Sequence, residues 1–217
     1  MDVTTEDAAG TIGGGRLEFE ALSHAREMLA HGRETDQKTI TLGPELGQCC
    51  GGRVTLAFQT GEHEMAKTDL LPVYVFGGGH VGRALISSLT PLPIDCHLVE
   101  TREDYLKELP QNVTAHHTVL PETVVKDAPK DSAFVILTHD HGLDFLIAEE
   151  ALRRGDAVYV GLIGSKTKRA VLERRLADAH VSAVDLVCPI GAMGLGDKRP
   201  EVIAAFVVAE ILNARSR

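Results

Sequence analysis

Apolar residues follow two rhythms along this chain. Behind Gly13, Gly14 and Gly15, the positions Leu17, Leu22, Ala25, Met28 and Leu29 recur at helical spacing, which predicts a helix over residues 17–29. Short extended runs follow at 39–42 and 53–59, separated by Gly43-Pro44 and by Gln48-Cys49-Cys50-Gly51-Gly52. Residues 10–16 read as the middle of a hairpin or loop whose first strand is barely present. Together these predict a small α+β domain over residues 1–71.

From residue 72 strand-like runs alternate with helical stretches. Strands are predicted at 73–76, 94–99, 113–117, 133–138, 157–163 and 185–188, and helices at 81–89, 143–154, 167–179 and 200–214, the last opened by Pro200 in first-turn position. Such alternation requires crossovers between parallel strands. Residues 72–217 are therefore predicted to be α/β, a doubly wound, mostly parallel, Rossmann-like sheet. Charge differs across the division: 12 acids against 6 bases before it, a net of −6, and 19 against 16 after it, a net of −3.

Composition narrows the function classes. The 217 residues are 44% hydrophobic and 24% charged, with a mean hydropathy of +0.00, as in a globular chain rather than a disordered, collagenous or coiled-coil one. Aromatics make up 4% with no Trp, which argues against stacking on single-stranded bases. The formal charge of −9 disfavours nucleic acid altogether. No run approaches the roughly 20 apolar residues of a membrane-spanning helix. Residues 1–10 are acidic and polar, without a secretion-signal pattern, so a cytoplasmic location with no membrane partner is expected. Cys49, Cys50, Cys96 and Cys188 show no Cys-x-x-Cys spacing and are expected as thiols.

Four strings carry candidate chemistry. Gly77, Gly79 and Gly82 form G-x-G-x-x-G, with His80 inside it, between a strand and a helix. There glycines allow a tight turn, close approach of a pyrophosphate and helix–strand packing, and the helix N-terminus favours phosphate. Glu100, 18 positions after Gly82 at the end of the next strand, is placed to accept hydrogen bonds from a ribose. This predicts nucleotide binding, against the alternative of a turn that only packs a helix. His139, Asp140 and His141 follow the fourth strand of the sheet, where they suit a metal, proton transfer or plain helix capping. Ser165, Lys166, Lys168 and Arg169 follow the fifth; Ser165 caps a helix start, and the cations oppose the helix dipole, which points to an anionic ligand rather than a structural choice. Cys49 and Cys50, bounded by glycines, suggest an accessible sulfur-bearing loop; Cys96 and Cys188 lie in apolar strands and read as small buried hydrophobes.

With those strings quoted, the chain resembles the xanthine dehydrogenase accessory protein family, the XdhC/CoxI type of molybdenum-cofactor chaperone. The match runs in order through Gly10-Thr11-Ile12-Gly13-Gly14-Gly15, the segment 43–53 around the paired cysteines, Phe76-Gly77-Gly78-Gly79-His80-Val81-Gly82, Thr138-His139-Asp140-His141 and the segment 161–169. Pro189-Ile190-Gly191 and Pro200-Glu201 fit as well. The family's upstream stretch with a Ser-x-Pro-Arg element has no counterpart, so the first domain is expected to be incomplete. The resemblance implies a cytoplasmic homodimer, more an accessory protein than a catalyst. It implies binding of the molybdenum cofactor (molybdopterin), protection of it while a cysteine desulfurase supports sulfuration, and insertion into a xanthine dehydrogenase-type molybdoenzyme. Cys49 is the favoured molybdenum thiolate ligand over Cys50, being farther from the strand that starts near Arg53. The glycine turn alone would equally suit a nicotinamide dinucleotide-dependent oxidoreductase.

Overall fold

The computed structural model describes residues 1–42, 52–61, 70–192 and 196–215. The chain divides into two compact units, Met1–Ala66 and Lys67–Arg217.

In the first unit a minimal hairpin, β1 (Asp2–Val3) and β2 (Ala8–Ala9), leads into α1 (Gly15–Ala30). The intervening glycine string turns with positive φ at Gly10, Gly13 and Gly14. Glu18, in the first turn of α1, closes that turn by accepting hydrogen bonds from the Thr11 hydroxyl (2.5 Å) and from the N–H groups of Ile12 (3.1 Å) and Gly14 (3.0 Å). An acid suits this place because the helix N-terminus is electropositive. β3 (Thr35–Leu42) and β4 (Gly52–Gln59) form an antiparallel ladder from Thr35 opposite Gln59 to Leu42 opposite Gly52. β3 starts four residues before the apolar run because pairing with β4, not hydrophobicity, sets its length.

The second unit is a six-stranded parallel sheet in the order β10-β9-β8-β5-β6-β7. Its strands are β5 (Leu71–Phe76), β6 (Ile94–Glu100), β7 (Val113–His117), β8 (Ala133–Ile136), β9 (Tyr159–Leu162) and β10 (Leu186–Val187). The chain enters at β5, moves outward to β7, then crosses back to lay β8 on the other flank of β5. That reversal creates a switch point between β5 and β8, the place where open α/β sheets bind ligands. This is the doubly wound α/β architecture expected from the strand–helix rhythm.

Both faces are covered, which is why the strands read as nearly continuous apolar runs. Leu71, Val73 and Val75 of β5 point to α2 (His80–Leu89) and α6 (Pro200–Arg215), whose Leu85, Leu89, Val207 and Ile211 are buried with them. Tyr74 and Phe76 point the other way, into the cluster formed with α3 (Pro121–Asp127), α4 (His141–Arg154) and α5 (Lys166–Asp178). Burying each large side chain of this kind contributes about 1.5–3 kcal/mol. Two elements were not predicted: α3, and a 3-10 turn at Glu103–Leu106 in place of a helix between β6 and β7. β8 and β9 also end sooner than their apolar runs, because Leu137 and Ile163 already belong to the loops at the ligand edge. Among the described residues no helix is long and apolar enough to cross a membrane.

Candidate functional site

Of the four glycines of the turn after β5, the three of the G-x-G-x-x-G spacing stand in different surroundings. Gly77 has φ +115°, and a Cβ there would lie 2.4 Å from the Leu137 carbonyl oxygen. A Cβ on Gly82 would lie 1.9 Å from the Gly77 carbonyl oxygen, so α2 packs on the turn only without a side chain. Gly79 differs: its φ is −67°, which any residue adopts, and among the described residues, its two chain neighbours aside, nothing lies within 4 Å of a Cβ built there. The fold needs Gly77 and Gly82, and it makes no demand at Gly79. His80, the first residue of α2, is exposed, and no side chain caps that helix end. The N-terminus of α2 thus presents N–H groups and a positive dipole end at the switch point.

Glu100 does not offer its carboxylate outward. It is 3% exposed; one oxygen accepts from the N–H of Gly78 (2.8 Å) and Arg102 Nη2 (2.8 Å), the other from the N–H groups of Thr101 and Arg102 and from Arg102 Nε. Burial alone would raise its pKa; the Arg102 guanidinium and the Gly78 N–H outweigh it and hold the carboxyl down at about 2. The expected ribose acceptor is therefore spent on fixing the glycine turn. Arg102 in turn lies 3.7 Å over the Tyr105 ring, and Tyr105 packs against Gly78.

On the other flank of the switch point, Asp140 caps α4 by accepting from the Leu143 N–H (2.9 Å), while His139 and His141 are exposed. Asp144, one turn into α4, is 1% exposed and accepts from both the N–H and the hydroxyl of Thr138. Its second oxygen is paired with Lys168, 9% exposed, whose ammonium also donates to the Ile163 carbonyl (3.0 Å). This pair ties the loop after β8 to the loop after β9. It also corrects the expectation for the cations of α5. Lys168 is neutralised by Asp144, and Arg169 by Glu173 (2.7 Å) with further bonds to the carbonyls of Leu186 and Cys188. A cation in the first turn opposes the helix dipole, and here paired acids supply the compensation that a ligand was expected to supply. Ser165 caps α5 through the Lys168 N–H (3.2 Å), and Lys166 is exposed.

A crevice bounded by Gly77, Glu100, Pro121, Thr138 and His139 has a volume of about 10 Å³, room for one water. A larger ligand would have to reach beyond it along the carboxyl edge of the sheet, the rim on which α2, α4 and α5 start and where Gly79, His80, His139, His141 and Lys166 lie in the chain. The larger concavity, about 1130 Å³, lies in the first unit between α1 and the β3–β4 hairpin. Its apolar lining includes Met28 and Phe58, and of the two acids that line it, Asp2 and Asp36, the second is taken by His24 (3.0 Å) and Arg33 (3.2 Å). The larger concavity and the glycine turn at the switch point are therefore separate places.

Among the described residues no group of three or more His, Cys, Asp or Glu is poised to hold a metal ion. Cys49 and Cys50 lie outside the described residues. Cys96 and Cys188 are free and buried, and burial pushes both thiols up, Cys96 to about 12. Neither is a thiolate near neutral pH.

A parallel doubly wound sheet with a glycine turn at its switch point defines a Rossmann-type unit. The XdhC Rossmann domain family matches residues 73–211, more than half of the chain, and the XdhC and CoxI family matches residues 1–42, so the chain belongs to the XdhC family. The fold is similar to that of a crystal structure from Bacillus halodurans, described as a xanthine dehydrogenase, with a TM-score of 0.59 at 17% identity. That likeness covers 91% of this chain and 65% of the other, so this chain spans about two thirds of that protein. No curated protein matches the chain.

Proposed function

We propose that the chain is a molybdenum-cofactor chaperone that binds the cofactor, protects it, supports its sulfuration with a cysteine desulfurase and inserts it into a xanthine dehydrogenase-type enzyme. The observation that carries the reading is Gly79. It is the one glycine of the turn that the fold does not require, and it lies beside the uncapped N-terminus of α2. A glycine with no internal reason, next to unpaired N–H groups, is what close approach of a phosphate to backbone calls for. Membership of the XdhC family supports the link to xanthine dehydrogenase maturation.

The residues at the switch point fit the phosphate tail of the cofactor. Gly79 and His80 at the α2 terminus would hold it, with His139, His141 and Lys166 on the rim. Bound, the group would supply a molybdenum–dithiolene centre able to carry a terminal sulfur. A soft ligand for that metal has to come from Cys49 or Cys50, because the buried Cys96 and Cys188 are not thiolates. The proposed ligand is Cys49, and the proposed working form is a homodimer. Because Glu100 is saturated by Gly78 and Arg102, it is not available to a ribose hydroxyl, which weighs against the nicotinamide oxidoreductase.

The test is to purify the chain from a host that makes the cofactor, oxidise it and measure pterin fluorescence. Retained pterin that is lost in Cys49→Ser and Gly79→Ala, each folded as wild type, is the expected result. Absence of pterin with tight binding of a nicotinamide dinucleotide would overturn it.

A further inference from the structure

The turn that follows β6 carries two side chains that the cofactor reading leaves unused. Arg102 donates to Glu100 side-on, through Nε (3.0 Å) and Nη2 (2.8 Å), and the same guanidinium lies 3.7 Å from the centre of the Tyr105 ring. The plane is thus held along one edge and backed on one face. The Arg102 side chain is nevertheless 35% exposed, which leaves to solvent its stem, the Nη1 edge and the face turned away from the ring.

The backing ring is held as well. Tyr105 belongs to the 3-10 turn Glu103–Leu106, and its N–H donates to the Arg102 carbonyl (3.1 Å). Arg83 of α2 donates through Nη2 to the carbonyls of Tyr105 and Lys107 (3.3 Å each), which ties this turn to the helix that starts at the switch point. A Cβ on Gly78 would come within 3.1 Å of the Tyr105 Cβ and carbonyl oxygen, so Tyr105 sits directly against the glycine turn. An exposed arginine ordinarily loses rotamer freedom when it binds something. Here Glu100 and Tyr105 have already removed it, so a ligand laid on the plane meets a preorganised surface.

The Gly78 N–H and Arg102 Nη2 donate to the same Glu100 oxygen, each at 2.8 Å. The guanidinium is therefore close enough to the turn for a phosphate at Gly79 and a ring on Arg102 to belong to one small ligand. A flat cation attracts the π face of an aromatic heterocycle, and Nη1, which takes no part in the pair with Glu100, can donate to an atom on the rim of that ring. Lysine in this place could pair with Glu100 but would present no plane.

We infer that Arg102, backed by Tyr105, is the platform on which the flat heterocycle of a phosphorylated ligand stacks, its phosphate lying at Gly79 and the N-terminus of α2. The inference rests on the phosphate site proposed above and adds the class of ring, a pterin or a nucleobase on a short linker. Glu100 is then the positioning residue that holds the plane.

The test uses the full chain, produced in a host unable to make the cofactor and titrated at pH 7.5 with inorganic phosphate, CMP and 6-(hydroxymethyl)pterin phosphate. At least one heterocyclic phosphate is expected to bind about fivefold or more tighter than inorganic phosphate by calorimetry. In NMR of the wild type it should shift the Arg102 Nε–H and Tyr105 ring signals. A gain for CMP alone identifies the ring as a nucleobase, and a gain for the pterin alone identifies it as the pterin. Arg102→Lys keeps a cation for Glu100 and Tyr105→Leu keeps apolar bulk against Gly78. Each should bring the heterocyclic phosphate down to the affinity of inorganic phosphate, whose own binding stays as in wild type, whereas Gly79→Ala should weaken all three. Heterocyclic phosphates no tighter than inorganic phosphate, or an advantage that survives in both platform variants, would overturn the inference and leave the phosphate site standing. Arg102 and Tyr105 signals unmoved at saturation would overturn it without any variant, and failure of all three probes to bind would overturn both readings.

Discussion

Lys168→Met keeps most of the side-chain length and removes the ammonium that Asp144 and the Ile163 carbonyl hold. Asp144 then remains buried, with Thr138 still donating to one oxygen and nothing left for the other. Removing one partner of a buried ion pair costs about 3–5 kcal/mol, because the surviving charge is desolvated and uncompensated. For a unit of this size 1 kcal/mol moves the melting temperature by about 2–4 °C, so a fall of about 6–20 °C is expected. Asp144→Asn combined with Lys168→Met removes both charges and keeps a carbonyl oxygen for Thr138, and it should recover most of the loss. The assay is urea unfolding followed by tyrosine fluorescence. Tyr74, Tyr105 and Tyr159 all lie in the second unit and the chain has no Trp, so the signal reports that unit alone. A Lys168→Met chain within 1 kcal/mol of wild type would refute the reasoning, as would a double variant no more stable than the single one.

Three further outcomes follow from the same geometry. Gly82→Ala, whose new carbon would overlap the Gly77 carbonyl, should fold poorly, whereas Gly79→Ala should melt with the wild type; circular dichroism melts distinguish them. Glu100 has a folded pKa depressed from 4.5 to about 2, so its stabilisation is present above about pH 4.5 and is lost as the pH falls toward 2. Acid unfolding should therefore be steeper in wild type than in Glu100→Gln across that window, and equal slopes would contradict it. Cys96 and Cys188 should resist a thiol reagent at pH 8 in the folded chain and react once urea is added, read by peptide mass spectrometry; labelling of either without urea would contradict their burial.

Much of the second unit was legible because its central strands are buried on both faces and therefore stand out as apolar runs, that of β5 ending in glycine. The turn at Gly77, Gly79 and Gly82 could be placed for the same reason. α3 escaped because seven residues with Pro121 at their start hold too few turns for a helical period to emerge. The polar half of β3 escaped because its pairing partner is remote in sequence. At the site, residue types were readable and their partners were not. Nothing local says that Lys168 is matched by Asp144, 24 positions earlier, or that Glu100 turns inward to hold Gly78. Charges judged one at a time look available to a ligand, and only tertiary distance shows which are already spent.

The position of α6 has a consequence for how the chain is made. Leu85 and Leu89 of α2 and Val73 and Val75 of β5 share a buried cluster with Ala204, Val207 and Ile211 of α6, which follows every strand of the sheet in chain order. Until α6 leaves the ribosome, that face of an otherwise assembled sheet stays open to water. The second unit therefore completes its core only once Pro200–Arg215 has emerged, and a nascent chain halted before Pro200 would present an adhesive apolar surface for a general chaperone to shield.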